Sequence, residues 1–105
     1  MPDRNNAGMP KREDVIRALA ESKAELAARY GVTDLAVFGS VVRDAARDGS
    51  DVDVLVSFDG PATSARYFGV QFFLEDLLQC PVDLVTDKAL RPELRPHVER
   101  EAVHV

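Results

Sequence analysis

Apolar residues recur along this chain with two spacings, and the changes between them mark its elements. From Lys11 to Tyr30 the spacing is helical: Val15, Leu19, Leu26 and Tyr30 fall on one stripe, and Ile16, Ala20 and Ala27 widen it. Gly31 stops that helix. Leu35-Ala36-Val37-Phe38 is a short apolar run that reads as a buried strand. Gly39-Ser40 breaks it, Val41 to Ala46 reads as the start of a short helix, and Asp48-Gly49-Ser50 has turn chemistry. Asp51 to Phe58 is a strand that alternates at its start, closed by Asp59-Gly60-Pro61. A second amphipathic helix is predicted over Tyr67 to Gln79, where Val70, Phe73, Leu74, Leu77 and Leu78 follow the i, i+3, i+4, i+7, i+8 pattern. Val82 to Thr86 is a third strand, and Glu93 to Val103, punctuated by Pro92 and Pro96, is helical in part.

The order helix, strand, helix, strand, helix, strand, helix predicts an α/β (α+β) fold, a small sheet with helices packed on it. Three strands are few, which leaves room for a fourth from the C-terminal end or from a partner. Residues 1–10 are polar, contain Gly and Pro and lack an apolar h-region, so they read as a disordered tail rather than a signal peptide; residues 11–105 form one domain.

Composition narrows the partners. The chain has 105 residues, 46% of them hydrophobic and 30% charged, enough for one small domain with a core. Thirteen basic against 18 acidic residues give a net charge of -5, which argues against direct binding to a nucleic-acid backbone. A nucleotide that arrives with magnesium is not excluded, because the metal brings the positive charge. One cysteine, Cys80, permits no internal disulfide and suits a reducing, cytoplasmic setting; Leu77, Leu78 and Val82 around it predict a buried thiol. No stretch is apolar and long enough to span a membrane.

The chemistry lies in Gly39-Ser40, Arg43, Ser50-Asp51-Val52-Asp53 and Asp83. Residues i and i+2 of a strand share a face, with Cα atoms roughly 6–7 Å apart. Asp51 and Asp53 can therefore converge on two Mg²⁺ ions about 3.5–4 Å apart, the geometry that stabilises attacking and leaving oxygens in phosphoryl or nucleotidyl displacement. Val52, Val54 and Val56 would fill the opposite face. Gly39 permits close approach of a phosphate at a helix start, and Ser40 adds a hydroxyl donor. Asp83 is the one charge in Pro81-Val82-Asp83-Leu84-Val85; if this strand pairs with Asp51–Phe58, it joins the other carboxylates as a metal ligand or as acceptor of a proton.

Each feature alone has an ordinary explanation: a turn, a solvated strand start, an edge position. Three carboxylates on one face repel one another, and a metal is the natural compensation. His97 and His104 lack partners at zinc spacing and read as surface residues, whereas Phe68, Phe72 and Phe73 read as core. Tyr67 precedes its helix and is expected to be exposed. Lys11, Arg12, Asp44, Arg47 and Asp48 read as solvated.

Phe38-Gly39-Ser40-Val41-Val42-Arg43 followed by Ser50-Asp51-Val52-Asp53-Val54-Leu55-Val56 resembles the signature of the DNA polymerase beta-like nucleotidyltransferases, and more narrowly of the minimal nucleotidyltransferase (MNT) family. The resemblance runs from about Lys11 to Val105 and takes in the Asp83 strand and Glu99-Arg100-Glu101-Ala102-Val103. It implies a small mixed sheet, triphosphate binding by Gly39 and Ser40 with Arg43 and Ser50 beside them, and Asp51, Asp53 and Asp83 as catalytic, metal-binding carboxylates. Arg43 either contacts phosphate or pairs with a carboxylate and holds the loop. Many members are antitoxins that silence a helical HEPN-domain toxin, forming a hetero-oligomer with it and transferring AMP from ATP to one of its tyrosines; a type VII-like antitoxin is the reading this implies here.

The rival within that setting is an antitoxin that neutralises by binding alone; the intact carboxylate trio argues against it. A haloacid dehalogenase-type phosphatase would continue its Asp-X-Asp with Gly-Thr, where this chain has Val54-Leu55. A P-loop NTPase would need Gly-x-x-x-x-Gly-Lys-Ser/Thr, which is missing. An antibiotic-modifying nucleotidyltransferase would carry an added helical domain.

Overall fold

A computed structural model describes residues 11–43 and 51–105. The predicted tail, residues 44–50 and with them the second half of the helix expected over Val41 to Ala46 lie outside the described residues. Helix α1 (Arg12–Tyr30) is capped by Gly31, whose N–H donates to Ala27 O. Strand β1 (Val32–Phe38) follows directly and pairs antiparallel with β2 (Val52–Phe58). Helix α2 (Ser64–Leu78) then crosses over to β3 (Val82–Thr86), which lies parallel to β2. A 3₁₀ turn (Asp87–Ala89) leads to α3 (Arg95–Glu101) and to a two-residue strand β4 (Val103–His104) on the other side of β1. The order β3-β2-β1-β4 makes a mixed four-stranded sheet, as the resemblance implied, and the fourth strand comes from the C-terminal end.

Alternation along the strands divides the molecule into two faces. Leu35, Val37, Val52, Val54, Val56, Val82 and Leu84 point to the face covered by Val15, Leu19 and Leu26 of α1 and Val70 and Leu74 of α2. Ala36, Phe38, Leu55 and Val85 point to the other face, where Leu90, Val98 and Ala102 form a smaller cluster. Asp53 and Asp83, one residue out of phase with their valine neighbours, belong to that second face.

Several expectations need correction. Strand β1 begins at Val32 rather than Leu35: Val32 pairs with Phe58, and a register shift between Val32 and Asp34 accommodates the polar Thr33-Asp34 step. Helix α2 begins at Ser64 rather than Tyr67, because Thr63 caps it, its hydroxyl accepting from Arg66 N at 3.3 Å. Ala20 and Ala27 are exposed, and the buried stripe of α1 runs through Ser22 instead.

Phe68 and Phe72 are not core: they are 48% and 64% exposed and stack on each other along the outside of α2. Leu77 is also exposed, and of the predicted stripe Val70 and Leu74 are fully buried. Tyr67 lies inside the helix, half-buried, with its hydroxyl donating to Leu84 O. Cys80 is only half-buried. Glu93 to Val103 divides into α3, ending at Glu101, and the start of β4. His97 and His104 are exposed, as expected. No helix among the described residues is long and apolar enough to cross a membrane.

Candidate active site

The site begins where β1 runs out. Phe38 pairs across the sheet with Asp53, and the chain then turns at Gly39 with φ at 83°. The N–H groups of Val42 and Arg43 both donate to Gly39 O, which closes the turn, and Val41 anchors it in the core at 1% exposure. Two constraints make position 39 a glycine: its φ lies in the left-handed region, and a Cβ there would overlap Asp53 Oδ2. The turn and the carboxylate are therefore packed against each other. Residues 41–43 form a turn, and the rest of the short helix expected over Val41 to Ala46 lies outside the described residues.

The parallel register sets Asp53 beside Asp83, on the same face of neighbouring strands. Burial, then the charge and hydrogen bond of Asp83, then the charges of Asp51 and Glu101 push the Asp53 carboxyl up from 3.8 to about 6. Asp83 is exposed. Asp51 stands exposed at the mouth of β2, where Val52 N donates to Pro81 O at 3.0 Å and ties the starts of β2 and β3 together. Strand register thus sets Asp53 beside Asp83, and Asp51 lies within electrostatic reach. Among the described residues no three His, Cys, Asp or Glu side chains already close around one point. Ser50 lies outside the described residues.

Arg43 resolves toward one of its two readings. Its Nη1 lies 2.6 Å from Glu101 Oε1, while Glu101 Oε2 accepts the Gly39 N–H at 2.9 Å. Burial opposes the charge on Glu101, yet the hydrogen bonds from Arg43 and Gly39 outweigh it and hold the carboxyl below its ordinary value. Glu101 is the residue at this site whose contacts sequence reasoning missed. It lay within the closing segment of the resemblance, but nothing local separates it from Glu99; its partners are 62 and 58 residues away.

The donor set fits Mg²⁺. It consists of carboxylate oxygens, the ligands that ion prefers, with Asp53 and Asp83 side by side on neighbouring strands. Asp51, Asp53 and Asp83 are the residues that would hold it.

A mixed sheet carrying paired aspartates on neighbouring parallel strands, under a glycine turn, defines a protein of the nucleotidyl-transferring class. The chain belongs to the nucleotidyltransferase domain family, whose model matches residues 19–105. It is 39% identical over 93 residues to the protein adenylyltransferase MntA of Thermococcus cleftensis, a match that covers 89% of this chain and 94% of the relative. A Methanocaldococcus jannaschii protein that also bears a protein adenylyltransferase name is 32% identical, covering 89% of this chain and 93% of its own length.

A solved minimal nucleotidyltransferase structure superposes with a TM-score of 0.75 at 41% identity, covering 89% of this chain and 94% of that one. The fold also matches the tri-AMPylated Shewanella oneidensis HEPN toxin in complex with MNT antitoxin, with a TM-score of 0.56 at 17% identity, covering 89% of this chain and 66% of the other.

Proposed function

We propose that this chain is a Mg²⁺-dependent protein adenylyltransferase that moves AMP from ATP to a tyrosine of a HEPN-domain toxin, and so acts as its antitoxin. The observation that carries the reading is the Asp53–Asp83 pair, held side by side by strand register beneath the Gly39 turn. The names of the relatives support the activity, and the toxin complexes that share the fold support the partner.

In this reading the tyrosine oxygen attacks the α-phosphorus of ATP. The bond from that phosphorus to its bridging oxygen breaks, pyrophosphate leaves, and the phenolic proton passes to a carboxylate. Asp83, whose side chain is exposed, is the carboxylate that takes it in this reading. Mg²⁺, when bound, offsets the triphosphate charge and stabilises the charge that develops on the leaving group. Ser40 and the Gly39 turn orient the triphosphate, and the half-buried Asp53 anchors the acidic centre in the sheet.

Incubation with the adjacent gene product and ATP labelled at either the α or the γ phosphorus tests this. Label should pass to the partner from the α position and not from the γ position. Label from neither position, with a stable complex formed, would leave the binding-only antitoxin as the function.

A further inference from the structure

The turn that carries Gly39 and Ser40 ends in an exposed arginine and is followed by Asp44–Ser50. Such a turn is a poor platform for a triphosphate unless something outside it fixes its orientation. The structure supplies that support from the far end of the chain. Glu101, the last residue of α3, reaches the turn with both carboxylate oxygens, one on the Gly39 N–H and the other on Arg43 Nη1. Its side chain is only 15% exposed, against 54% for Arg43.

The base of this carboxylate is fixed as well. Ala102 N donates to Val98 O at 2.8 Å, Val103 pairs with Val37, and Val105 N donates to Leu35 O at 3.0 Å. Lys23 Nζ of α1 then holds Val105 O at 2.8 Å.

We infer that Glu101 is a positioning residue: a fixed strut that aims Ser40 at the nucleotide by taking up the Gly39 N–H and pairing with Arg43. The inference rests on the nucleotidyltransferase reading of the site. Two features favour a strut over a carboxylate that merely occupies a phosphate site until ATP arrives. Glu101 is flanked by a packed helix and a paired strand, so no loop is there to carry it away. The Gly39 N–H points at Glu101, which leaves Ser40 as the turn's donor toward phosphate.

The test compares wild type, E101Q, E101A, R43A and E101A/R43A, with KM for ATP and kcat read separately, together with binding of Mg²⁺-AMP-PNP and the melting temperature of each variant. Loss of a charge-assisted support of this kind should lower kcat/KM for ATP roughly tenfold to a hundredfold. The loss should fall mainly on KM, because the triphosphate is held less well both before and during transfer.

E101Q, which keeps an oxygen for the Gly39 N–H, should lie between wild type and E101A. The double variant should be little worse than E101A alone, since loss of Glu101 already frees both the Gly39 N–H and Arg43. An unchanged KM in E101A, or a KM that falls as it would if Glu101 blocked a phosphate site, overturns the inference. If E101A does not fold, E101Q and its Mg²⁺-AMP-PNP affinity decide in the same way. Failure of the underlying reading is seen separately, in wild type: if that protein neither binds Mg²⁺-AMP-PNP nor transfers from ATP, the site reading fails and the strut's role falls with it.

Discussion

At the scale of single residues, Asp53 holds the site's electrostatic tension. Its carboxyl is pushed up to about 6 by burial and by Asp83, against 3.8 for the ordinary group. Between those two values the folded chain binds more protons than the unfolded one, so stability falls as pH rises through the window and stays lower above it. Metal-free protein should therefore lose melting temperature from pH 4 to pH 7 on this account. Asp53→Asn should flatten that part of the profile and raise the melting temperature at pH 7.5. Thermal scans across pH in a chelator measure both, and a parallel profile for wild type and variant would mean that the carboxyl is not crowded.

Gly39 makes the second prediction at this scale. Gly39→Ala forces a side chain into left-handed backbone and onto Asp53 Oδ2. The strain should cost about 1–3 kcal/mol of stability, and displacement of the turn should lower kcat/KM by on the order of a hundredfold. Chemical denaturation and steady-state kinetics read the two effects separately.

At the scale of elements, the sheet edge made by β4 joins stability to the site. Removing Val103–Val105 would strip the pairing from Ala36 and Val37 and the hydrogen bond at Leu35, leaving β1 as a bare apolar edge. Such an edge is an aggregation hazard, so the truncated chain should show a lower melting temperature and concentration-dependent light scattering. Leu19→Ala, in the fully buried stripe of α1, gives the corresponding core value, a loss of about 2–5 kcal/mol in denaturant titration.

The elements also show what could be read in advance. The strands of Asp53 and Asp83 were legible because each alternates apolar residues with one acid, and their register follows from burying Val52, Val54, Val82 and Leu84 together. The outward stack of Phe68 and Phe72 was not legible, since helical spacing marks an apolar stripe without saying that a second aromatic stripe will stay outside. Nor was the start of α2, because Thr63 lies beyond the apolar pattern and caps it by a side-chain hydrogen bond. Glu101 was the larger omission: its importance comes from contacts that only the folded chain brings together.

At the scale of the whole molecule, the sheet separates two tasks. One face, packed by α1 and α2, supplies most of the buried apolar residues. The other carries the acidic pair, with α3 and the smaller cluster beside it. A ligand that binds only the folded state stabilises it by mass action, by about 2.7 kcal/mol at a hundred times its dissociation constant. At that concentration Mg²⁺ with AMP-PNP should therefore raise the melting temperature of wild type by roughly 10–20 °C, from about 4–8 °C per kcal/mol for a domain near this size. The same addition should leave Asp51→Ala/Asp53→Ala unmoved.

The most direct measurement of the central claim is the intact mass of the partner toxin after incubation with this protein, Mg²⁺ and each NTP in turn. The account predicts the gain of one or more AMP units with ATP, absent when Asp51→Ala/Asp53→Ala replaces wild type. A toxin of unchanged mass with every NTP, or an equal gain with the double variant, would contradict it.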